Sequence, residues 1–255
     1  MHFLTAIHSD IGTVKKVNQD SLCLKVAQSK SGEVVLAVVC DGLGGLSKGE
    51  LASKTVIEYF SKWFENVLPQ RLHDGIVFKD IAGEWKQSIV HLNEKINAYG
   101  EKHNVQLGTT IVAALCVDKH MMVCNIGDSR CYYFRDDVKQ ITTDHTVVAK
   151  ELQEGKLTAQ QAENDPRKST LLQCIGASPE VKPDFFEMDL SSGTVLLLCS
   201  DGFRHEVLPQ EFLGVLKSSV LLDETIMKTT LIDLTELNKQ RGEKDNISSI
   251  LIKAI

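Results

Sequence analysis

The sequence predicts an α+β fold with antiparallel sheets at the centre and helices packed outside. Two observations carry this. Short apolar segments joined by tight polar turns recur along the chain, as hairpin strands do. Pairs of stretches with apolar residues at helical spacing interrupt them.

Residues 3–7 form a short strand that runs into the polar loop "SDIGTVKKVNQD", ending on Asp20. Residues 22–26 alternate cleanly, and the turn "AQSKSGE" leads to a second strand at 34–40, so the two make an antiparallel hairpin. The run 34–40 is apolar throughout and rich in β-branched side chains, which marks a strand buried on both faces. Ala52, Val56, Tyr59, Phe60, Trp63 and Val67 then recur at helical spacing, as do Ile81, Trp85, Ile89, Leu92, Ile96 and Tyr99. These are two long amphipathic helices separated by the connection "LPQRLHDG", and their aromatic stripes are core packing. Strands at 109–117, 121–126, 131–134 and 138–141 follow with short turns and read as a β-meander. Between residues 145 and 183 the pattern breaks into short helical pieces; a polar insert this long suggests a lid or substrate-facing flap. Strands at 185–190 and 194–199, helices at 209–217 and 223–239 and a closing strand at 247–252 complete the chain.

The chain of 255 residues is long enough for one large domain or two small ones. Lys and Arg total 28 against 34 Asp and Glu, a net charge of −6 with no basic run, which argues against nucleic acid as a partner. The start "MHFLTAIHSD" has no basic region followed by a long apolar one, and no apolar run reaches membrane-spanning length. The expectation is a cytoplasmic protein without a signal peptide or membrane partner. The seven cysteines form no CxxC pair and mostly sit inside apolar strands, as reduced core residues do.

The apolar run 34–40 ends on Asp41, followed by Gly42 and then the pair Gly44-Gly45. Asp41 and the carbonyl of Gly42 could both face one cation. Taken alone, this is more simply a hairpin turn with a solvated aspartate. Repetition changes the balance: "TVLLLCSDGF" delivers Asp201-Gly202 in the same way, and "MMVCNIGDSR" delivers Asp128. With Asp20 and Asp245, five acids stand at junctions of strand and loop, and none has a histidine at zinc-site spacing. Oxygen donors with room for water favour Mg²⁺ or Mn²⁺, and carboxylates gathered in one place repel unless cations neutralise them.

The ordered series "SDIGTVKKVNQD", "VVCDGLGG", "LGTTIVAAL", "CNIGDSRCYYF", "TTDHTVV", "LLLCSDGF" and "KDNISSILI" resembles the metal-dependent protein phosphatases of the PP2C (PPM) type, in their short bacterial form. Each motif is weak alone; seven in order, spanning residues 9–252, are specific. The resemblance implies a single phosphatase domain over 1–255, built as a central antiparallel β-sandwich with helices on both sides in α-β-β-α layers, with the flap at about 145–183. It implies hydrolysis of phosphoserine and phosphothreonine in proteins by in-line attack of a hydroxide bridging two Mn²⁺ or Mg²⁺ ions. Asp41 would bridge the two metals, with the Gly42 carbonyl on the first and Asp201 and Asp245 on the second. Asp128, with Asp201, would hold a weaker third ion. Asp20 would orient metal-bound water, and Thr109 and Thr110 would support the sheet near the site.

Departures from the family pattern stand beside the matches. The family's phosphate-binding arginine is a lysine here, Lys15, with Lys16 as the neighbouring alternative; lysine keeps the charge and loses the two-pronged grip. Gln19 replaces a glutamate, Leu43 a histidine that serves the leaving group in some relatives, and Phe203-Arg204-His205 is an unusual sequel to Asp201-Gly202. His145 is expected to be structural. The resemblance further implies a phosphorylated protein substrate, the target of a serine/threonine kinase or the kinase itself, and a monomer by default. A pseudophosphatase acting as a regulatory binding module is the alternative function; a two-metal nuclease is disfavoured by the negative charge.

Overall fold

The computed structural model describes residues 1–30, 32–43 and 48–255. Gly44 and Gly45 of the "DGLGG" loop therefore lie outside the described residues. Strands β1 (Phe3–Asp10), β2 (Ser21–Ser29) and β3 (Gly32–Cys40) precede helices α1 (Gly49–Asn66), α2 (Leu68–Asp74) and α3 (Phe78–His103). Then come β4 (Ile111–Val117), β5 (His120–Ile126), β6 (Arg130–Phe134), β7 (Val138–Gln140), α4 (Val147–Gln153), α5 (Ala159–Glu163) and β8 (Asp184–Asp189). The last elements are β9 (Val195–Cys199), α6 (Pro209–Val215), α7 (Glu224–Gln240) and β10 (Ile247–Ala254).

Two five-stranded antiparallel sheets result, ordered β1-β10-β9-β6-β7 and β2-β3-β4-β5-β8. Their side chains sort into three apolar layers. Val34, Leu36 and Val38 of β3 meet Phe60, Trp63, Trp85 and Ile89 of α1 and α3. The alternate residues Val35, Ala37 and Val39 face the other sheet, against Leu196, Leu198 and Ile250. Beyond that sheet, Val195, Leu197 and Leu251 pack on Phe212, Met227 and Leu231 of α6 and α7. The order is helix, sheet, sheet, helix, as expected. A strand such as β3, with residues 34–40 all fully buried, has no polar face because a layer lies on each side of it.

Three sequence expectations need correction. The connection "LPQRLHDG" is mostly helix α2; Pro69 sits in its first turn, where a missing N–H and a fixed φ do no harm. The four strands from β4 to β7 are not one meander. β4 pairs with β5 in one sheet and β6 with β7 in the other, and the chain crosses between sheets at residues 127–129. Gly127 makes this crossing with φ +100, where a Cβ would sit 2.5 Å from the Thr110 side chain. β8 and β9 divide in the same way across "SSG", because hydrophobic periodicity says which residues are buried but not in which sheet. Thr109 lies before β4, in isolated bridges to Gly42 and Ile175.

The insert is anchored at both ends. Thr146 caps α4 by accepting from the Ala149 N–H. Farther on, Asn93 of α3 accepts from the Gly176 N–H at 2.7 Å and donates to the Ser178 carbonyl at 3.0 Å. All seven cysteines are free and buried. Among the described residues, no helix is long and apolar enough to cross a membrane.

Candidate active site

Asp41 leaves the end of β3 with its backbone clamped by two threonines. Its N–H donates to Thr110 Oγ1 at 3.1 Å, and its carbonyl accepts from the Thr110 N–H and from Thr109 Oγ1, each at 2.9 Å. Thr110 Oγ1 in turn shares a 2.7 Å hydrogen bond with Ser129 on the crossing loop. Gly42 is required by close packing: a Cβ there would lie 2.5 Å from the Gln19 carbonyl and 2.6 Å from the backbone of Gly49. Burial holds the Asp41 carboxyl well above the usual range, and the charges of Asp20, Asp201, Asp128 and Asp245 add to it.

Asp20 reaches the same cluster from the loop before β2 and is 8% exposed. Its Oδ2 accepts from Ser200 Oγ at 2.9 Å, while Oδ1 is buried without a hydrogen-bond partner. Burial pushes the Asp20 carboxyl up to about 7; bonds from Ser248 and Ser200 oppose this, and the charges of Asp201 and Asp245 reinforce it. Asp201 opens the 3₁₀ turn Asp201–Phe203 directly after β9. Asp245 stands before β10, beside Asn246, whose side chain ties three points of the 11–19 loop together. It donates to the carbonyls of Ile11 at 2.9 Å and Val17 at 3.3 Å and accepts from the Gln19 N–H at 2.9 Å.

That tie brings Lys15 in. Its Nζ lies 2.8 Å from Asp245 Oδ1. Burial works against the ammonium charge, but Asp245, Asp41 and Asp201 outweigh it and hold Lys15 above its ordinary value. Lys16, the alternative, is exposed on the same loop. Lys15 is thus the lysine that joins the acids.

Asp128 is 5% exposed on the crossing loop, and its carboxyl is pushed up to about 6 by burial and by Asp201, with Arg204 pulling the other way. Arg204 donates to the Asp128 carbonyl at 2.8 Å and lies 3.5 Å from its Oδ2. Asp144 takes both prongs of Arg130, at 2.8 and 2.7 Å. His205 bridges two acids, with Nε2 3.3 Å from Asp201 Oδ2 and Nδ1 3.0 Å from Glu243 Oε2. Glu243 Oε1 accepts the backbone N–H groups of Lys244 and Asp245, each at 2.7 Å, and so shapes the loop that carries Asp245. His145 has a structural setting: the Gly127 N–H donates to its Nδ1 at 3.2 Å, and Nε2 faces Asp184 at 3.0 Å.

Among the described residues, no three His, Cys, Asp or Glu side chains close around one point as an all-protein cage would. Mg²⁺ and Mn²⁺ do not need one, because such ions are commonly held by one or two carboxylates together with water. The donor set fits them: the Asp41 carboxylate beside the Gly42 carbonyl, Asp41 and Asp20 carboxyls raised by burial and by the like charges around them, and a buried Asp20 oxygen with no partner. A cleft of 280 Å³ opens at the edge of this cluster, lined by Asp128, Asp144, Arg204, His205 and residues of α4 and α5. A larger cavity of 510 Å³ lies at the C-terminal end of α3 and contains none of the five acids, so its size carries no catalytic meaning.

The family model for protein phosphatase 2C matches residues 12–238. The chain belongs to the protein phosphatase 2C family. It is 31% identical over 250 residues to the serine/threonine phosphatase stp of Listeria innocua, covering 96% of this chain and 93% of that protein. The S. agalactiae serine/threonine phosphatase structure superposes with a TM-score of 0.84 at 29% identity, covering 100% of both chains. The catalytic domain of the serine threonine protein phosphatase PstP, in complex with two manganese ions, superposes with a TM-score of 0.73 at 27% identity, covering 98% of this chain and 97% of that one.

Within this phosphatase 2C fold, four residues near the acids fall outside the sequence-based site: Arg204, His205, Asp144 and Glu243. The first two drew notice only as an unusual sequel to Asp201-Gly202. Asp144 lies in the quoted motif "TTDHTVV" with no role read for it there, and it joins Arg130 of the neighbouring strand to Arg204, sixty residues farther along; Glu243 meets His205 from thirty-eight residues away.

Proposed function

We infer that this phosphatase 2C chain is a metal-dependent serine/threonine protein phosphatase, a phosphoric monoester hydrolase acting on phosphoproteins. The observation that carries it is the gathering of Asp20, Asp41, Asp201 and Asp245, from four separate loops, into one charge-coupled cluster with Lys15 at its edge. Asp41 and the Gly42 carbonyl would hold a first Mn²⁺ or Mg²⁺, and Asp41, Asp201 and Asp245 a second. The PstP relative in complex with two manganese ions supports two such ions in this fold. Bound there, the ions would supply Lewis-acid charge that lowers the pKa of water and offsets negative charge on the phosphoryl oxygens.

The chain's own residues do the rest. Lys15 presents a point charge to the substrate phosphoryl group once it leaves Asp245. Asp20, tied by one oxygen to Ser200, keeps the other available to accept a hydrogen bond from the attacking water. The nucleophile is water: Cys40, next to Asp41, is fully buried and burial lifts its thiol well above the ordinary value. The insert 145–183, whose α4 and α5 line the 280 Å³ cleft, acts as a substrate-facing flap on a single domain. Net charge −6 favours a protein substrate over nucleic acid. A monomer in the cytoplasm, with no membrane partner, completes the reading. The regulatory-module alternative has nothing in its favour, since every aspartate of the cluster is present.

The test is hydrolysis of a phosphothreonine peptide with excess chelator and then with Mn²⁺ or Mg²⁺, comparing the wild type with Asp201→Asn. Activity that needs metal and is lost in the variant is expected. A folded protein that is inactive with either ion would overturn the reading.

A further inference from the structure

The resemblance places a third ion on Asp128 and Asp201, and this chain's residues do not fit it. We propose that Arg204 stands where that ion would be, so that the protein binds two divalent cations and no more. The proposal rests on the two-metal reading above.

Arg204 is held in place. It caps the 3₁₀ turn that begins at Asp201, with its N–H donating to the Asp201 carbonyl at 3.0 Å. The preceding Phe203 is fully buried and stacked on Phe212 at 5.6 Å. From that base, Nη2 donates to the Asp128 carbonyl at 2.8 Å and stands 3.5 Å from Asp128 Oδ2 and 3.8 Å from Asp144 Oδ2. The side chains of Arg204, Asp128 and Asp144 are 12%, 8% and 11% exposed, so the guanidinium is packed among the acids.

Charge balance gives the same answer. On this side of the site two carboxylates, Asp128 and Asp144, face two guanidiniums, Arg204 and Arg130, in a largely buried and internally neutral group. A divalent ion would bring two uncompensated charges into it, at a large desolvation penalty. On the other side, Asp20, Asp41, Asp201 and Asp245 face Lys15 and His205, and this excess of negative charge is what divalent ions can offset. Asp201 is the one acid shared by the proposed second ion and the third. His205 Nε2 already meets its Oδ2 at 3.3 Å, and Glu243 fixes that imidazole from behind at 3.0 Å. Both carboxylates assigned to the third ion thus already face a nitrogen of this chain. The consequence is that the charge of the cleft beside the flap does not change with metal concentration.

The experiment counts Mn²⁺ per chain by equilibrium dialysis at saturating metal and locates the ions by anomalous scattering. It uses the wild type, Arg204→Ala and Arg204→Gln, with melting curves to confirm folding; the glutamine keeps a donor for the Asp128 carbonyl and serves if the alanine variant unfolds. Two ions in the wild type and three in the variants, the added one at Asp128, are expected. Adding Asp128→Asn to either variant should return the count to two. Three ions in the wild type would overturn the proposal whatever the variants do, and so would two ions in wild type and variants alike. A wild type that binds no Mn²⁺ would instead bring down the two-metal reading, and the proposal with it.

Discussion

Raising the pH should destabilise this protein when divalent ions are withheld, and restoring the ions should reverse the effect. Burial drives Asp20 from 3.8 to about 7 and Asp128 from 3.8 to about 6, and Asp41 moves in the same direction. The folded chain keeps these protons at pH values where the unfolded chain has released them. Stability therefore falls as pH rises from the unfolded value to the folded one, and levels off beyond it. Between about pH 5 and about pH 8, Asp20 alone spans roughly two units of that window, on the order of 3 kcal/mol, or a Tm lower by roughly 6 to 12 °C. His205 acts in the same sense: burial lowers its pKa, but Glu243 and Asp201 outweigh it and raise it, so its contribution is lost as pH climbs through the folded value. His8, lowered by burial and by Lys228, works the other way below 6.5. The assay is a series of thermal melts on chelator-treated protein across this range, with and without Mn²⁺, for the wild type and Asp20→Asn. The variant should flatten the slope and melt higher than the wild type at the alkaline end. Chelated wild type as stable at pH 8 as at pH 5, to within about 1 kcal/mol, would refute the reasoning.

Other perturbations separate the roles of individual residues. Asp41→Asn should abolish turnover with Tm unchanged or raised, because it removes a buried charge and almost no volume; appreciable activity would remove Asp41 from the centre of the site. Lys15→Arg should lower KM for a phosphopeptide several-fold by restoring a two-pronged donor, and an unchanged KM would take Lys15 away from the phosphate. Asp144→Ala leaves the largely buried Arg130 without a carboxylate and Arg204 with Asp128 alone, and should cost roughly 3 to 5 kcal/mol in urea denaturation. Trp85→Ala removes a fully buried ring that meets Phe60 at 5.0 Å and Trp63 at 5.3 Å, and should cost about 3 to 5 kcal/mol in the same assay with metal dependence intact.

What the amino-acid pattern reveals and what it hides divide along a physical line. The strand ending on Asp41 is legible because two apolar layers demand seven consecutive apolar residues, and an acid that ends such a run has left the core. The helices α1 and α3 are legible because one face of each meets a sheet. The allocation of strands to sheets is not, since β5 and β6 differ in sheet but not in periodicity, and the change of sheet is made by residues 127–129. Lys15 and Lys16 are equivalent as letters; Asn246, more than two hundred residues farther along, decides which one reaches Asp245. The pairing of Arg204 with Asp128 and Asp144 depends on that same crossing between sheets, so it became visible only with the fold in hand.

The seven sequestered thiols bear on how this phosphatase would behave under oxidative stress. Burial raises the pKa of every one of them, leaving little thiolate for peroxide or alkylating reagents to attack. Phosphatases that use a cysteine nucleophile are silenced by such oxidants, because the atom they oxidise is the one that performs the chemistry. With hydrolysis assigned instead to carboxylates and cations, dephosphorylation by this protein would continue while thiol-dependent enzymes around it stopped. An oxidant burst would then leave the removal of phosphate by this protein unchanged.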